Sequence, residues 1–328
     1  MEDVGVRSAF VTGAYGLLGS WLCRALLDRG VRVAVLQRDE AAVTALALDG
    51  TEARCTVVRG DVRDLELLER VLGEEEVDTV FHLAAQTVVL TALHSPLSTW
   101  ETNVRGTWAL LEACRRHGAA RVVVASSDKA YGAHDTLPYS EDHELRPRFP
   151  YDVSKACADL IARSYWHSFR LPVAVTRCAN LYGGGDLNRS RLVPETVAAA
   201  MAGRAPVIRS DGSPERDFLY VEDAVAAYLG LADALDSDGV RGEAFNAGWG
   251  RSWPVHDVVA AVCRAVGADV QPDIRGTGTP EGEMDRQWVD SSRLRALTGW
   301  EPQFDLESGL ARTVAWYREH PAALGEAH

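Results

Sequence analysis

Short runs of β-branched and apolar residues alternate with longer helical patterns through the first half of the chain. Nearly apolar runs of this length are typical of strands buried on both faces of a parallel sheet. The predicted strands are Ala9–Thr12, Arg32–Leu36, Thr56–Arg59, Thr79–Leu83, Arg121–Ser126 and Val173–Arg177. The predicted helices are Leu17–Arg29, Leu65–Leu72, Pro96–His117 and Ser154–Phe169. Connections between parallel strands through a helix are right-handed. The alternation of strands and helices therefore predicts an α/β fold with a doubly wound parallel sheet.

A glycine-rich turn joins the first predicted strand to the first predicted helix, with the sequence Thr12-Gly13-Ala14-Tyr15-Gly16-Leu17-Leu18-Gly19. Gly13 permits the tight turn, Gly16 lets the backbone approach a pyrophosphate, and Gly19 lets the helix pack closely on the strand. The start of the helix adds free N–H groups and the positive end of its dipole. This context predicts a Rossmann dinucleotide-binding site. The expected cofactor contacts here are Gly13, Tyr15, Gly16, Leu17, Leu18 and Gly19.

The end of the second predicted strand is where such a site reads the adenosine ribose, and here it carries Gln37 and Arg38. An Asp would accept a hydrogen bond from the 2′-hydroxyl of NAD, whereas Arg38 can pair with the 2′-phosphate of NADP. The alternative is an exposed arginine, and the acidic Asp39 follows it. We therefore expect NAD or NADP, with Arg38 favouring NADP. Asp61 and Val62, just past the third strand, are expected beside the adenine, with an ordinary loop carboxylate as the alternative for Asp61.

The pattern changes after Asn180. The run Gly183–Gly185 predicts a flexible break, and the chain from about Trp249 is richer in Pro, Gly and Trp. The expected division is a Rossmann domain of residues 1–178 with 224–248, and a smaller C-terminal substrate-binding lobe of residues 179–223 with 249–325.

Composition narrows the range of partners. The chain has 34 Lys and Arg residues against 47 Asp and Glu, a net charge of −13, which disfavours nucleic acid as a partner. We expect no signal peptide and no membrane partner, because no long apolar run follows the start of the sequence and no stretch reaches membrane-spanning length. The six cysteines form no C-x-x-C pair and fit free thiols of a reducing cytoplasm. No set of His and Cys has metal-ligand spacing, so no metal is expected.

Tyr151 and Lys155 are four residues apart, and on a helix they share one face. The ordinary pKa of tyrosine, near ~10, is too high for a base at neutral pH. A fixed lysine ammonium and a nicotinamide cation would both lower that pKa. Tyr151 would then exchange a proton with a hydroxyl or carbonyl group. The spacing alone is common by chance, but its place downstream of a glycine-rich turn favours a catalytic pair.

Ser127, Asp128 and Lys129 follow the fifth predicted strand, at the edge of the sheet where clefts form. The Ser127 hydroxyl can hydrogen-bond a reacting oxygen. Asp128 and Lys129 can serve as an acid and a base at this position. The alternative is an exposed ion pair that contributes little to stability.

Together these motifs resemble the extended short-chain dehydrogenase/reductase family, specifically its nucleotide-sugar epimerases and dehydratases. The resemblance covers nearly the whole chain in order, through Thr12–Gly19, Asp61-Val62, His82–Ala85, Asn103, residues 126–132, Tyr151 with Lys155, Asn180–Gly183, Arg216–Phe218 and Asn246–Gly248. It implies an NAD(P) cofactor that also contacts Leu83, Ala84 and Ala85, and a nucleotide-diphosphate sugar as substrate. It also implies a homodimer, in which helices bearing Trp100, Trp108, Tyr165 and Trp166 pair, with packing inside one subunit as the alternative.

The pair Asp128-Lys129 distinguishes members of this family. Sugar 4-epimerases usually carry small residues there, whereas 4,6-dehydratases carry an acid–base pair. The chain looks most like CDP-glucose 4,6-dehydratases and, at Gln37-Arg38, like GDP-mannose 4,6-dehydratase. The resemblance implies C4 oxidation through Tyr151, proton removal from C5 by Lys129, loss of O6 as water protonated by Asp128, and hydride return to C6. The alternatives are a 4-epimerase, which needs no such pair, and a non-catalytic nucleotide sensor.

The resemblance also implies where the substrate binds. Arg216 corresponds to the diphosphate-binding arginine, and Asn180 at the cleft edge is expected to contact the same group. Arg191 and Arg286 are further candidate cations, with exposed surface residues as the alternative. The remaining predicted substrate contacts are Gln86 and Val193.

Two polar residues of these motifs have less obvious roles. We expect His82, at the end of the fourth predicted strand, to pack within the core. Asn103 is either a satisfied buried amide or a group that positions Tyr151 or a water molecule.

Overall fold

In the computed structural model, the first half of the chain forms the strands of a parallel sheet and the helices between them. The structure describes residues 5–279 and 284–324. The strands are β1 Ser8–Thr12, β2 Arg32–Gln37, β3 Thr56–Arg59, β4 Thr79–His82, β5 Arg121–Ala125, β6 Val173–Cys178, β7 Asn180–Tyr182, β8 Val207–Ile208, β9 Glu215–Tyr220, β10 Ala244–Ala247, β11 Ser252–Pro254, β12 Asp273–Ile274 and β13 Arg286–Gln287. The helices are α1 Leu17–Asp28, α2 Ala45–Leu48, α3 Leu65–Glu74, α4 Val89–His94, α5 Pro96–Trp100, α6 Gly106–His117, α7 Pro150–Phe169, α8 Leu192–Met201, α9 Val221–Ala234, α10 Val255–Val266, α11 Ser292–Thr298 and α12 Leu306–Glu319.

Seven of these strands form one sheet in the order β10-β6-β5-β4-β1-β2-β3, and all neighbours are parallel. The strand order reverses between β1 and β4, which is the point where such sheets open a cleft. Apolar side chains of α1 and α9 cover one face, and those of α3, α6 and α7 cover the other. The predicted doubly wound fold is confirmed, and the six predicted strands end within one residue of the observed ones.

The long predicted helix Pro96–His117 is not uniform. It consists of α5, a π-helical segment Glu101–Arg105, and α6. A π-helical segment inside a helix shifts the direction of the side chains on it, and such segments are frequent at functional sites. This one carries Asn103, whose side chain is buried.

The remaining elements pack beside the carboxyl ends of the strands. Strand β9 pairs with β7, β11 and β13, and α8, α10 and α12 bury their apolar faces against it in a third cluster. The proposed division into two parts remains a prediction, and residues 1–4, 280–283 and 325 of it lie outside the described residues. Within the described ranges, no helix combines the length and apolar character needed to cross a bilayer.

The glycine run after β7 is packed, contrary to the expected flexible break. A Cβ on Gly183 would lie 2.4 Å from a Val221 methyl carbon, and one on Gly184 would lie 2.3 Å from the Cβ of Trp316. The glycines are there because α9 and α12 approach the backbone closely, and only a residue without a side chain fits.

Candidate active site

A cleft of about 870 Å³ opens at the carboxyl edge of the sheet. The predicted catalytic residues all line it: Ser127, Asp128, Lys129, Tyr151 and Lys155. So do the predicted cofactor contacts Gly13, Tyr15, Gly16, Leu17, Leu18, Gly19, Arg38, Asp61, Val62, Leu83, Ala84 and Ala85. The predicted substrate contacts Asn180, Arg191, Val193 and Arg216 lie along the same cleft.

The glycine turn packs against its own backbone and the end of β4 so closely that side chains at Gly13 and Gly19 would not fit. Gly13 has φ of 77°, and a Cβ on it would lie 2.6 Å from the carbonyl carbon of Leu83. A Cβ on Gly19 would lie 2.2 Å from the Gly13 oxygen. No side chain caps the start of α1 at Gly16, so the first N–H groups of the helix face the cleft end and fit a pyrophosphate.

The ribose end of the cleft holds cations that already have acidic partners. The Arg38 Nε donates to Asp39 Oδ2 at 2.6 Å, and both side chains are exposed. Arg63 grips Asp61 through two hydrogen bonds of 2.8 Å, which hold the pKa of the Asp61 carboxyl below its usual range. A phosphate placed beside Arg38 would therefore also meet the Asp39 carboxylate.

Tyr151 and Lys155 lie on the first turns of α7, which begins at Pro150, a residue suited to the first helical position. The Lys155 Nζ donates to the Ala125 carbonyl oxygen at 2.8 Å, and burial lowers the pKa of this lysine to about 8. Burial raises the pKa of Tyr151 to about 12, against the positive charge of Arg191. In the chain by itself, desolvation of the phenolate outweighs the nearby charge, and the lower Tyr151 pKa expected beside a nicotinamide cation stays a prediction.

Asp128 is a buried carboxyl group in a short 3₁₀ turn, Asp128–Tyr131, that follows β5. It is 2% exposed, and its Oδ1 accepts a hydrogen bond from the Ser127 hydroxyl at 3.0 Å. Its Oδ2 has no hydrogen-bond partner within the part of the chain that the structure describes. Burial raises the pKa of Asp128 to about 6, although the charges of Lys129 and Arg216 oppose this. The group can therefore hold or release a proton near neutral pH.

Two of the predicted substrate-binding cations, Arg216 and Arg191, line the cleft. Arg216 on β9 is buried, and its Nη1 donates to the Glu215 carbonyl oxygen at 2.9 Å. Arg191, just before α8, contacts Asp186 at 3.1 Å and the Thr87 hydroxyl at 3.2 Å. Two guanidinium groups in one cleft suit a diphosphate.

Two predicted substrate contacts do not line the cleft. The Gln86 amide donates to the Val88 carbonyl and to the Thr99 hydroxyl, so its side chain is engaged within the protein. Arg286 lies 3.5 Å from Glu215 and over the ring of Trp288, outside the cleft lining. In both cases a local partner holds the side chain away from the cleft.

Sequence reasoning missed an ion pair at the far end of the cleft. The two terminal nitrogens of Arg209 lie 2.7 and 2.8 Å from the carboxylate oxygens of Glu195, and both residues line the cleft. Arg209 directly follows the short strand β8, and a charged residue after an apolar run was the available signal. Nothing in the spacing ties it to Glu195.

Asn103 and His82 are both fully hydrogen-bonded. The Asn103 Nδ2 donates to the Ser154 hydroxyl at 2.8 Å, its Oδ1 accepts from the Gln86 N–H, and Ser154 in turn donates to the Tyr151 carbonyl oxygen. The donors and the acceptor of the Asn103 amide thus all have hydrogen-bond partners, and the amide also contacts the first turn of α7. His82 lies between the hydroxyls of Thr12 and Thr107, and burial lowers its pKa to about 3.

Known proteins resemble this chain along most of its length. It is 35% identical, over 319 residues and 94% of each chain, to a dTDP-glucose 4,6-dehydratase of Streptomyces griseus. A solved dTDP-glucose 4,6-dehydratase from Streptomyces venezuelae with NAD bound is 31% identical, with a TM-score of 0.86 over 96% of this chain and 98% of that one. A UDP-glucose 4-epimerase from Thermotoga maritima with UDP-glucose has a TM-score of 0.87 at 26% identity, over 95% of this chain and 99% of that one.

The relatives thus include both dehydratases and epimerases, as the sequence motifs predicted. The model of the NAD dependent epimerase/dehydratase family matches residues 9–248, which extend from β1 to just past β10. The match includes the glycine turn, the Ser127–Lys129 segment and the Tyr151/Lys155 pair. The chain therefore belongs to the NAD dependent epimerase/dehydratase family.

Proposed function

We propose that the protein is a nucleotide-sugar 4,6-dehydratase, a hydro-lyase that converts its substrate to a 4-keto-6-deoxy sugar. The observation that carries this choice is that Asp128, next to Lys129, is a buried carboxyl with a pKa of about 6 whose Oδ2 has no hydrogen bond within the described residues. Water elimination needs an acid for the leaving oxygen and a base for a carbon-bound proton. A 4-epimerase, the second candidate, needs neither group.

Oxidation at C4 depends on Tyr151, Ser127 and Lys155. Tyr151 takes the proton from the sugar O4, and the Ser127 hydroxyl holds that oxygen. With a pKa of about 8, Lys155 is mostly protonated at pH 7 and stabilises the phenolate. The glycine turn would hold the pyrophosphate of a nicotinamide dinucleotide, which would supply the acceptor and later the donor of the hydride.

Elimination depends on Asp128 and Lys129. The 4-ketone acidifies the C5 proton, and Lys129 removes it. As the C5–H electron pair forms the C5–C6 double bond, the C6–O6 bond breaks, and Asp128 protonates O6 as it leaves as water. Lys129 then returns the proton to C5, while the bound dinucleotide would give its hydride back at C6.

The mass of the product tests this proposal. We expect one sugar of a panel of CDP-glucose, GDP-mannose, and UDP- and dTDP-sugars to lose one water, with NAD and NADP compared. Lys129→Met should abolish water loss while transient C4 oxidation survives, and Tyr151→Phe should stop both. A product of unchanged mass would instead identify a 4-epimerase, and normal dehydration by Lys129→Met would refute the role of Lys129.

For the cofactor, NAD fits the ribose end better than the NADP that Arg38 favoured. The Arg38 guanidinium already donates to the Asp39 carboxylate at 2.6 Å. A 2′-phosphate that approached Arg38 would therefore be repelled by the negative charge of Asp39. The Asp39 carboxylate is instead an acceptor suited to a ribose hydroxyl.

We also propose a homodimer and a cytoplasmic location. The neighbouring helices α5, α6 and α7 expose large apolar side chains, which we call the α5–α7 face: Leu97, Trp100, Trp108, Leu160 and Phe169. An exposed apolar group of this size is typical of a protein interface. All six cysteines are free, which fits a reducing compartment.

A further inference from the structure

A buried hydrogen-bond network connects the two halves of the candidate active site. Asp159 lies on α7, four residues beyond Lys155, and its carboxylate binds Arg177 on β6 through contacts of 2.8 and 3.0 Å. The Arg177 Nη1 donates to the Tyr131 hydroxyl at 3.0 Å. That hydroxyl donates to Asn246 Oδ1 on β10 at 2.7 Å. We call these four residues, Asp159, Arg177, Tyr131 and Asn246, the Tyr131 network.

Tyr131 is the last residue of the turn that begins at Asp128. Its ring stacks on Tyr139 with centroids 4.9 Å apart, and the Tyr139 hydroxyl donates to the Gly132 carbonyl oxygen at 2.7 Å. The Asn246 amide donates to the Tyr139 carbonyl oxygen as well. The hydrogen bonds of the Tyr131 hydroxyl and the stacking of its ring therefore hold the end of the turn in place.

The burial of the network indicates a role other than stability. Arg177 and Asp159 are 2% and 0% exposed. A buried ion pair gains little net stability, because the desolvation of both charges offsets their attraction. It does hold its partners in one geometry, because a guanidinium and a carboxylate bind through two parallel hydrogen bonds. Here the pair holds α7, which carries Asp159, at a fixed position relative to the turn that ends at Tyr131.

We infer that Tyr131 is a positioning residue that sets the distance between the redox pair Tyr151/Lys155 and the elimination pair Asp128/Lys129. The inference rests on the proposed roles of these four groups. The redox pair acts at C4 and the elimination pair at C5 and C6 of the same sugar, so both must reach neighbouring atoms at once. Displacement of a reacting group by about 1 Å can slow a step by roughly a hundredfold.

The variant Tyr131→Phe tests this inference, since it removes the hydroxyl and keeps the ring stacked on Tyr139. We expect water loss to slow by roughly ten- to a hundredfold, while C4 oxidation stays near the wild-type rate. In a single turnover, reduced nicotinamide should therefore accumulate before the dehydrated product appears. The control is Tyr182→Phe, which removes another buried hydroxyl, bonded to the Asp305 carbonyl oxygen and outside the cleft lining. It should change neither step.

A second variant, Tyr139→Phe, keeps the inference testable if Tyr131→Phe does not fold. It frees the Gly132 carbonyl next to the turn and should give the same selective loss of elimination. The inference is overturned if either variant slows both steps equally, or neither, while Lys129→Met still loses only elimination. If Lys129→Met itself dehydrates normally, the proposed function fails instead, whatever the tyrosine variants do.

Discussion

Asp128 is a buried carboxyl group whose protonation state affects both its proposed role as an acid and the stability of the fold. Burial disfavours its carboxylate, and the charges of Lys129 and Arg216 only partly compensate. A carboxyl with a pKa near neutrality is a useful acid, because both protonation states are populated at the working pH. The same ionisation above that pKa introduces a buried charge and destabilises the fold.

Asp128→Asn should therefore remove water elimination and stabilise the fold at pH 7. The pKa of Asp128 is 3.8 when unshifted and about 6 in the fold, so the folded state binds the proton more tightly. Stability of the wild type then falls as pH rises from about 4 through 6, and the variant gains at most about 3 kcal/mol at pH 7. Urea denaturation at pH 7 and pH 4 measures this gain.

The gain should vanish at pH 4, where the wild-type carboxyl is largely protonated. Asp142→Asn, at an exposed position, is the control and should change stability by less than about 0.5 kcal/mol at either pH. An Asp128→Asn variant that is less stable than the wild type at pH 7 would contradict the argument.

At the scale of elements, the glycine turn and the start of α7 position the site through backbone geometry. In the turn between β1 and α1, Gly13 lies against the Leu83 backbone and Gly19 lies against the Gly13 backbone, so neither position has space for a side chain. The π-helical segment before α6 turns Asn103 towards Gln86 and Ser154, and so contacts the loop after β4 and the helix that carries Tyr151. Both features depend on elements that are far apart in sequence.

Gly13→Ala should lose cofactor binding, and Gly30→Ala provides a matched control. Both glycines have similar positive φ, 77° and 79°, so both variants carry a backbone strain of about 1 kcal/mol. A Cβ on Gly13 would lie 2.6 Å from Leu83, whereas one on Gly30 meets nothing within 4 Å. Calorimetric titration with NAD should show at least a roughly tenfold weaker affinity for Gly13→Ala alone. Equal affinity in both variants would show that the turn tolerates a side chain.

At the scale of the whole molecule, the described residues include an exposed apolar surface. The α5–α7 face groups large apolar side chains on helices that pack against one another, in a chain with a net charge of −13. Scattered apolar residues elsewhere need no explanation, but a group on neighbouring helices does. Pairing with a second copy would bury it.

Leu160→Glu should convert a dimer into a monomer. Leu160 is 55% exposed on α7, so its replacement leaves the core intact, but a charge in a paired interface would be desolvated. Light scattering after size-exclusion chromatography gives the molar mass. Ile274→Glu, at a side chain 52% exposed on β12, is the control and should not change it. A monomeric wild type would refute the homodimer.

The strands, the glycine turn and the motif residues could be predicted from the sequence because each depends on spacing along a short segment. Alternating apolar runs placed the strand ends within one residue, and the cleft-lining motifs followed from their positions after strands. Gln86 and Arg286 lie outside the cleft lining because a nearby partner, Thr99 or Glu215, holds each side chain, and their contacts with a substrate stay predictions. No spacing rule reveals such partners.

The sequence by itself thus determined the doubly wound sheet, the family and the residues that meet at its edge. Only the tertiary structure decided how those residues are charged and held. In the chain by itself, burial raises the pKa of Tyr151 to about 12 and that of Asp128 to about 6. Arg177 meets Asp159 and Tyr131 only in the fold. The physical reason is that desolvation and long-range hydrogen bonds depend on groups brought together from distant parts of the chain.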